Sequence, residues 1–582
     1  MNGHSRHHSV VADEVAKHQP RLPKKLIVCC DGTWQDRDNG FQDGKIQTPT
    51  NVTRIARAMM PEDDAKHPQI VYYQAGVGTG LGLYDQLVGG GTGMGLSENI
   101  REAYAFLASN YSLEDHLSAP DSIFLLGFSR GAFTARSLGG FIGAVGILTK
   151  KAMPYFYDLF KDWENAGERN YKPMFFKLYA QENPEVGDIP EIQPPKSQEM
   201  SADPSKAIDA YMHRYRDQLL AYGLTQMAQI KCIGVWDTVG ALGIPINPFL
   251  QRTLGMAAFV KEYRWFDTRL SNTVDNAFHA LALDEHRFPF SPAVWELDEG
   301  CKTNLKQVWF PGAHSNCGGS YEDNGMANIT LAWMMDQMAG NTRDPSKEFD
   351  PVDWIKFDDD YIDDCFKRTT SFYNTLSNGS AYRGWAMGKV YNSNTFPQAL
   401  AGARTRTPGR YPRTNYQTAK YTTVPLQNTH EHIHSSVRAR MDLDGREVEP
   451  EEWYQQMLSW IYRTLTGQQR VKPYQPHRTS GMLPNSGGPL EGWKLVDGHQ
   501  YHDDPNYEID MTPGGIKQIH WEYNGNGTAS TQIMKEDVFA ERGYEERLLL
   551  HDQRIADQVI YSNNRWHWFK KPKTKAQLAK TF

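Results

Sequence analysis

Ser122-Ile123-Phe124-Leu125-Leu126-Gly127-Phe128-Ser129-Arg130-Gly131-Ala132 decides how this chain folds. The stretch up to Phe128 is a short apolar run, the pattern of a strand buried on both faces. Gly127, Ser129 and Gly131 then form Gly-x-Ser-x-Gly, and an Ala- and Leu-containing helical pattern opens directly after it. A strand that turns sharply into a helix at a serine needs neighbours without bulk, which Gly127, Gly131 and Ala132 supply. The helix N-terminus beside that serine favours negative charge. An incidental serine in such a turn would look the same locally, so the distinction rests on what else the chain provides.

Upstream, Lys24 to Cys30 is another apolar run, ending at Asp31-Gly32-Thr33, and Ile70 to Tyr73 is a further one. Apolar residues recur at helical spacing from Val52 through Ile55, Ala56 and Met59, and again at Ile100, Ala103, Tyr104 and Leu107. Downstream, the strand pattern resumes at Gln229 to Val235 and at Leu305 to Phe310. Strands alternating with helices predict an α/β fold of the α/β-hydrolase type, a mostly parallel central sheet flanked by helices. The expected division is a disordered, His-rich tail over 1–23, then a catalytic domain over 24–340 with a helical, aromatic insertion near 150–228. An irregular or helical extension over 341–480 and a small accessory module over 481–582 complete it.

Composition narrows the function classes. The 582 residues are 40% hydrophobic and 12% aromatic, enough for a sizeable core. A formal net charge of −7 gives no global attraction to nucleic acid, so no nucleic-acid partner is expected. Cys29, Cys30, Cys232, Cys301, Cys317 and Cys365 form no Cys-x-x-Cys pair, which argues against a disulfide framework or a structural zinc site. The first residues lack the apolar core of a signal peptide. The longest apolar stretch, Leu138 to Leu148, falls short of the ~18 apolar residues of a membrane span. The expected location is cytoplasmic.

A serine hydroxyl needs a general base, and the base needs an orienting acid. In a hydrolase of this type the chain order is Ser, then Asp or Glu, then His, with each residue just past a strand. Asp237 follows Ile230 to Trp236 and precedes Thr238-Val239-Gly240. His314 follows Val308-Trp309-Phe310-Pro311-Gly312-Ala313. Ser129, Asp237 and His314 are therefore the candidate nucleophile, acid and base, with Asp284 and Glu285 as rival acids. Donors for a developing oxyanion would be the backbone N–H of Arg130 and that of Gly32 or Thr33.

Five segments carry a resemblance to a known family: Cys30 to Trp34, Gly127 to Ala132, Gly234 to Gly240, Ala280 to Glu285 and Trp309 to Ser315. Together they resemble a family of uncharacterised α/β-hydrolases that includes the catalytic domain of type VI secretion phospholipase effectors. The resemblance implies a triad of Ser129, Asp237 and His314 and an acyl-ester substrate, phospholipid among the options. That family usually has Asp two residues after the His and a third Gly in the following run; Asn316 and Ser320 stand there in this chain.

Other signals point elsewhere or nowhere. The Gly-rich stretches at Gly76 to Gly82 and Gly89 to Gly95 meet neither G-x-G-x-x-G nor the P-loop pattern. His430-Glu431-His432-Ile433-His434 has metal-ligand spacing but no second cluster near it in sequence, and Asp358 to Asp364 lacks the EF-hand glycine and terminal Glu. No metal and no cofactor are expected. Phe249, Leu250 and Leu254 to Val260 would suit a lid or acyl wall as well as plain core. Trp566, Trp568 and Phe569 beside Lys570, Lys571, Lys573 and Lys575 raise the option of peripheral membrane contact. The expected function is a serine esterase or lipase acting on an acyl-ester or lipid substrate. A catalytically silent scaffold of the same fold, and a phosphate-directed hydrolase using Asp31 and the Gly-rich loops, are the alternatives.

Overall fold

Leu26, Val28 and Cys30 of strand β1 (Lys25–Cys30) enter one apolar cluster, and Ile27 and Cys29 enter another. Alternate side chains of a strand leave opposite faces, so β1 is covered on both sides, as strands inside a parallel sheet are. The computed structural model describes residues 21–32, 41–42, 45–46, 48–76, 94–113, 118–168, 171–239, 270–341, 353–375, 383–391, 403–414, 421–443, 445, 474–477, 487–496, 519–523, 532–537, 539–540, 542–556 and 559.

β1 lies between β2 (Gln69–Gln74) and β3 (Ser122–Phe128) and is parallel to both. β4 (Ile230–Trp236), β5 (Val274–Ala282), β6 (Asn304–Phe310) and β7 (Glu431–Ile433) continue the sheet in parallel beyond β3. Three strands from the C-terminal part complete it: β8 (Trp493–Val496), β9 (His520–Tyr523) and β10 (Gln532–Glu536). The order across the ten-stranded sheet is β8-β9-β10-β7-β6-β5-β4-β3-β1-β2. Only β9 runs against its neighbours. The chain is thus an α/β protein with a large, mostly parallel central sheet, and strands from beyond residue 480 share that sheet with β1 to β6.

Helices cover both faces. On one side lie α1 (Asn51–Ala58), α9 (Gly325–Met338), α10 (Tyr361–Thr375) and α12 (Tyr544–Leu550), packed on Ile27, Phe124, Leu126 and Phe310. On the other lie α2 (Met94–Asn110) and α3 (Arg130–Val145). The segment expected to be a helical insertion forms α4 (Phe156–Glu164), α5 (Phe175–Glu182), α6 (Ser197–Ala202) and α7 (Pro204–Ala221). Its aromatics, Phe156, Phe160 and Trp163, pack on Phe141 of α3. Each fully buried Leu, Ile or Phe contributes about 1.5–3 kcal/mol, so the two apolar layers hold the sheet more than strand propensity does. Two short helices remain: α8 (His314–Gly318) and α11 (Ser435–Asp442).

Register brings the candidate site to one edge. Cys30 is level with Gly127, Phe128 with Trp236, and Ala282 with Phe310. Asp31, Ser129, Asp237 and the loop to His314 therefore all leave the carboxyl ends of neighbouring strands, where open α/β sheets place their sites. All six cysteines are free thiols. Among the described residues, no helix is long and apolar enough to cross a membrane.

Candidate active site

Ser129 caps helix α3 with φ 59° and ψ −122°, a conformation that costs a non-glycine residue about 1–3 kcal/mol. Its backbone N–H donates to the Trp236 carbonyl at 3.0 Å, which ties the turn to β4. The flanking glycines are required by space. A Cβ on Gly127 would lie 2.4 Å from the Gly131 carbonyl oxygen, and one on Gly131 would lie 2.2 Å from that of Cys30. Gly32 sits against the Ser129 side chain, since a Cβ there would lie 3.3 Å from the serine Cβ.

Asp237 also turns with positive φ, 40°, immediately after β4. Its carboxylate is fully buried and accepts from His314 Nδ1 at 2.6 Å and from the Ala282 N–H at 2.9 Å. The imidazole of His314 lies against Phe128, the residue before Ser129, with ring centroids 4.6 Å apart, and meets Phe290 edge-on at 4.8 Å. The structure thus brings Asp237 to His314, and His314 to the turn that carries Ser129. Among the described residues the Ser129 hydroxyl takes no hydrogen-bond partner. Catalytic hydrogen bonds are often open without substrate.

Arg406 closes the carboxylate from the other side, a residue the sequence reading did not single out. Its guanidinium donates to Oδ1 of Asp237 at 2.5 Å and to Oδ2 at 3.0 Å, and to the carbonyls of Ala282 and Phe290 at 2.6 and 2.7 Å. Burial opposes the Asp237 charge, but Arg406 and the His314 hydrogen bond outweigh it and hold the carboxyl well below the usual carboxylate range. Burial likewise lowers the pKa of His314, against the raising effect of Asp237. The only trace of Arg406 in sequence is the run Arg404-Thr405-Arg406-Thr407 in an otherwise irregular stretch.

The rival acids are engaged elsewhere. Asp284 accepts from the Gly312 N–H at 2.6 Å and the Tyr474 hydroxyl at 2.9 Å. Glu285 receives the Arg287 guanidinium at 2.9 Å and the His314 backbone N–H at 3.2 Å. Both fix the loop that carries His314 and leave its ring to Asp237. Asn316 does the same from within α8, accepting from Ala313 N–H at 3.1 Å and donating to the Lys389 carbonyl at 2.8 Å. Ser320 has φ 83°, the region that favours glycine.

Of the oxyanion candidates, Arg130 is the first residue of α3, directly after Ser129. The Gly32 N–H donates to Asp31 Oδ1 at 2.7 Å. Asp31 itself is buried and also accepts from the hydroxyls of Thr50, Thr53 and Tyr73 at 2.7–2.9 Å. Burial pushes its carboxyl up, against the lowering effect of these hydrogen bonds. Thr33 lies outside the described residues, as do Phe249 to Val260, residues 77–93 of the Gly-rich stretches and the aromatic and basic C-terminus.

The two metal-like signals are used structurally. Glu431 and His432 belong to β7, and buried Glu431 accepts from Trp309 Nε1 at 2.9 Å and Gly409 N–H at 2.8 Å. Asp363 pairs with Arg547 and His551, and Asp364 with Lys367. Among the described residues, no group of three or more His, Cys, Asp or Glu side chains is placed to hold a metal ion.

Known proteins bear on this geometry. The sequence model of the family described as T6SS, phospholipase effector Tle1-like, catalytic domain matches residues 24–337. An uncharacterized protein of Saccharomyces cerevisiae, YEL023C, is 31% identical over 159 residues, 25% of this chain and 22% of its own length. A structure of the Tle1 effector bound to the VgrG spike of the type 6 secretion system is similar at 19% identity and TM-score 0.26, over 52% of each chain. A crystal structure of an uncharacterized protein from Pseudomonas aeruginosa is similar at 14% identity and TM-score 0.26, over 56% of this chain and 47% of that one. The chain therefore spans about a fifth of the yeast relative and about half of each solved structure.

Proposed function

Because this chain belongs to the family of type VI secretion Tle1-like phospholipase effector catalytic domains, we propose that it is a serine hydrolase of the α/β-hydrolase fold that cleaves carboxylic esters of phospholipids. Ser129 attacks the ester carbonyl carbon. His314 takes the hydroxyl proton and returns it to the leaving alcohol. Water then attacks the acyl-serine with the same imidazole as base, which releases the fatty acid and restores Ser129. Asp237 holds the imidazole by Nδ1, so that Nε2 is the nitrogen that exchanges protons. The observation that carries this reading is the 2.6 Å contact between His314 Nδ1 and Asp237, set beside a serine on a strained turn.

The backbone N–H of Arg130 serves as one oxyanion donor. The second donor is the backbone N–H of Thr33, because that of Gly32 donates to Asp31. No cofactor takes part. Residues 24–340 carry the three catalytic side chains, and the lipid reaches them by peripheral contact with a membrane surface. The test is release of fatty acid from phospholipid vesicles by wild type and Ser129→Ala. Release by wild type that vanishes in a folded Ser129→Ala protein supports the reading. Equal release by both sinks it.

A further inference from the structure

The carboxylate that orients His314 is itself held by a part of the chain far from it. Residues 403–406 run alongside the loop after β5: the Arg404 N–H donates to the His286 carbonyl at 2.8 Å, and Ala403 pairs with Arg287 as an isolated bridge. Thr407 N–H donates to the Tyr411 hydroxyl at 3.2 Å, and Tyr411 stacks on Trp309 of β6. This seats the buried Arg406 guanidinium with both terminal nitrogens on Asp237 and one each on the carbonyls of Ala282 and Phe290. Residue 406 lies beyond residue 337, where the match to the family's catalytic domain ends.

We propose that Arg406 is a positioning residue for the hydrolytic reaction: its planar fork fixes both oxygens of Asp237, so that Oδ2 alone is presented to His314 Nδ1, and the site is incomplete without this residue from outside the matched domain. The inference rests on the reading of Asp237 and His314 as acid and base. The physical case is geometric. Asp237 turns with positive φ directly after β4 and could rotate about its side-chain bonds; a guanidinium fork matches a carboxylate edge and removes that freedom. An ammonium group would supply the charge but not the plane. The guanidinium also tunes the proton on His314. The titratable and charged groups around the pair are Arg406, Glu285, Arg287, His279 and Cys317. Among them Arg406 supplies the largest attraction on the Asp237 charge, which weakens the pull of that carboxylate on an imidazolium.

The test compares full-length wild type, Arg406→Lys and Arg406→Gln in hydrolysis of a short-chain para-nitrophenyl ester across a pH series, with thermal melting of the same samples. Arg406→Gln is expected to lower kcat by about 100-fold with little change in KM, the scale of a displaced catalytic group. It should also move the acidic limb of kcat to higher pH, because a carboxylate released from the guanidinium stabilises the imidazolium more. Arg406→Lys should keep the limb near its wild-type position with an intermediate kcat. A purely structural role would lower the melting temperature and leave the limb of the folded fraction in place, which would overturn the proposal. If Arg406→Gln fails to fold, Arg406→Lys decides, and wild-type kcat in that variant overturns it. Hydrolysis that survives Ser129→Ala would instead overturn the reading on which the proposal rests.

Discussion

His314 and His434 are both buried and each holds a carboxylate, and only His314 stands beside a strained serine turn. His314 spends Nδ1 on Asp237 and lies against the residue that precedes Ser129. His434 has a serine in direct contact, with Ser436 Oγ 2.6 Å from its Nδ1, and Glu545 hydrogen-bonded to its Nε2. By composition, Ser436, His434 and Glu545 make the better-looking triad. Yet both ring nitrogens of His434 are occupied, Ser436 sits inside the first turn of α11, and all three side chains are buried. This second cluster caps α11 and fastens α12 to the sheet between them. A proton relay is marked by an unspent nitrogen next to a strained, space-cleared serine, not by three residue types in contact.

The largest effect that can break this contrast is at the acid. Asp237→Asn leaves His314 in the wrong tautomer, so kcat per folded molecule should fall by about 10,000-fold in a steady-state ester assay, and the loss of the buried ion pair with Arg406 should lower the melting temperature as well. Retention of more than a tenth of the rate would remove Asp237 from its role. The pH profile comes next. The pKa of His314 is lowered, mainly by burial, so its neutral form persists below the ordinary histidine value of about 6.5. The acidic limb of kcat/KM should lie below that value, with the rate flat from there to neutral pH. A limb above it would contradict the environment described for His314.

Smaller effects belong to the second cluster. Ser436→Ala removes one buried hydrogen bond, worth about 1 kcal/mol, and should lower Tm by roughly 2 °C with kcat within twofold of wild type. A large loss of turnover would mean that this cluster takes part in chemistry. Asp336 caps α12 through the N–H groups of Tyr544 and Glu545, and burial raises its pKa to about 7. A group with a raised folded pKa contributes stability that is complete below its unfolded value, 3.8, and lost as pH rises through about 7. Wild type should therefore lose Tm relative to Asp336→Asn over that window. Parallel Tm curves would show that Asp336 does not titrate there.

The α/β sheet was legible because β1 and β3 are apolar past their first residue, β4 is interrupted only by Lys231, β6 ends in the apolar Val308-Trp309-Phe310, and α1 and α2 show helical spacing. Asp237 directly follows β4 and His314 comes four residues after Phe310 ends β6, which is why the two could be paired from sequence. β7 was not. It is three residues long and contains Glu431 and His432, so its sequence reads as ligand spacing, and only pairing with β6 makes it a strand. Arg406 was not legible either. It is 169 residues from Asp237 along the chain, in a stretch with no regular element, and tertiary packing alone brings it back. The Gly32 N–H, read as an oxyanion donor from its place in the loop, donates to Asp31 in the structure because the side chain one residue away reaches it first.

The central claim is that Ser129 is an activated nucleophile. The most direct test is intact mass after treatment with a fluorophosphonate, on wild type, Ser129→Ala and His314→Ala, with and without phospholipid vesicles. The account predicts a single adduct on wild type that is absent from both variants. An adduct that persists on Ser129→Ala, or no adduct on wild type even with vesicles present, would contradict it.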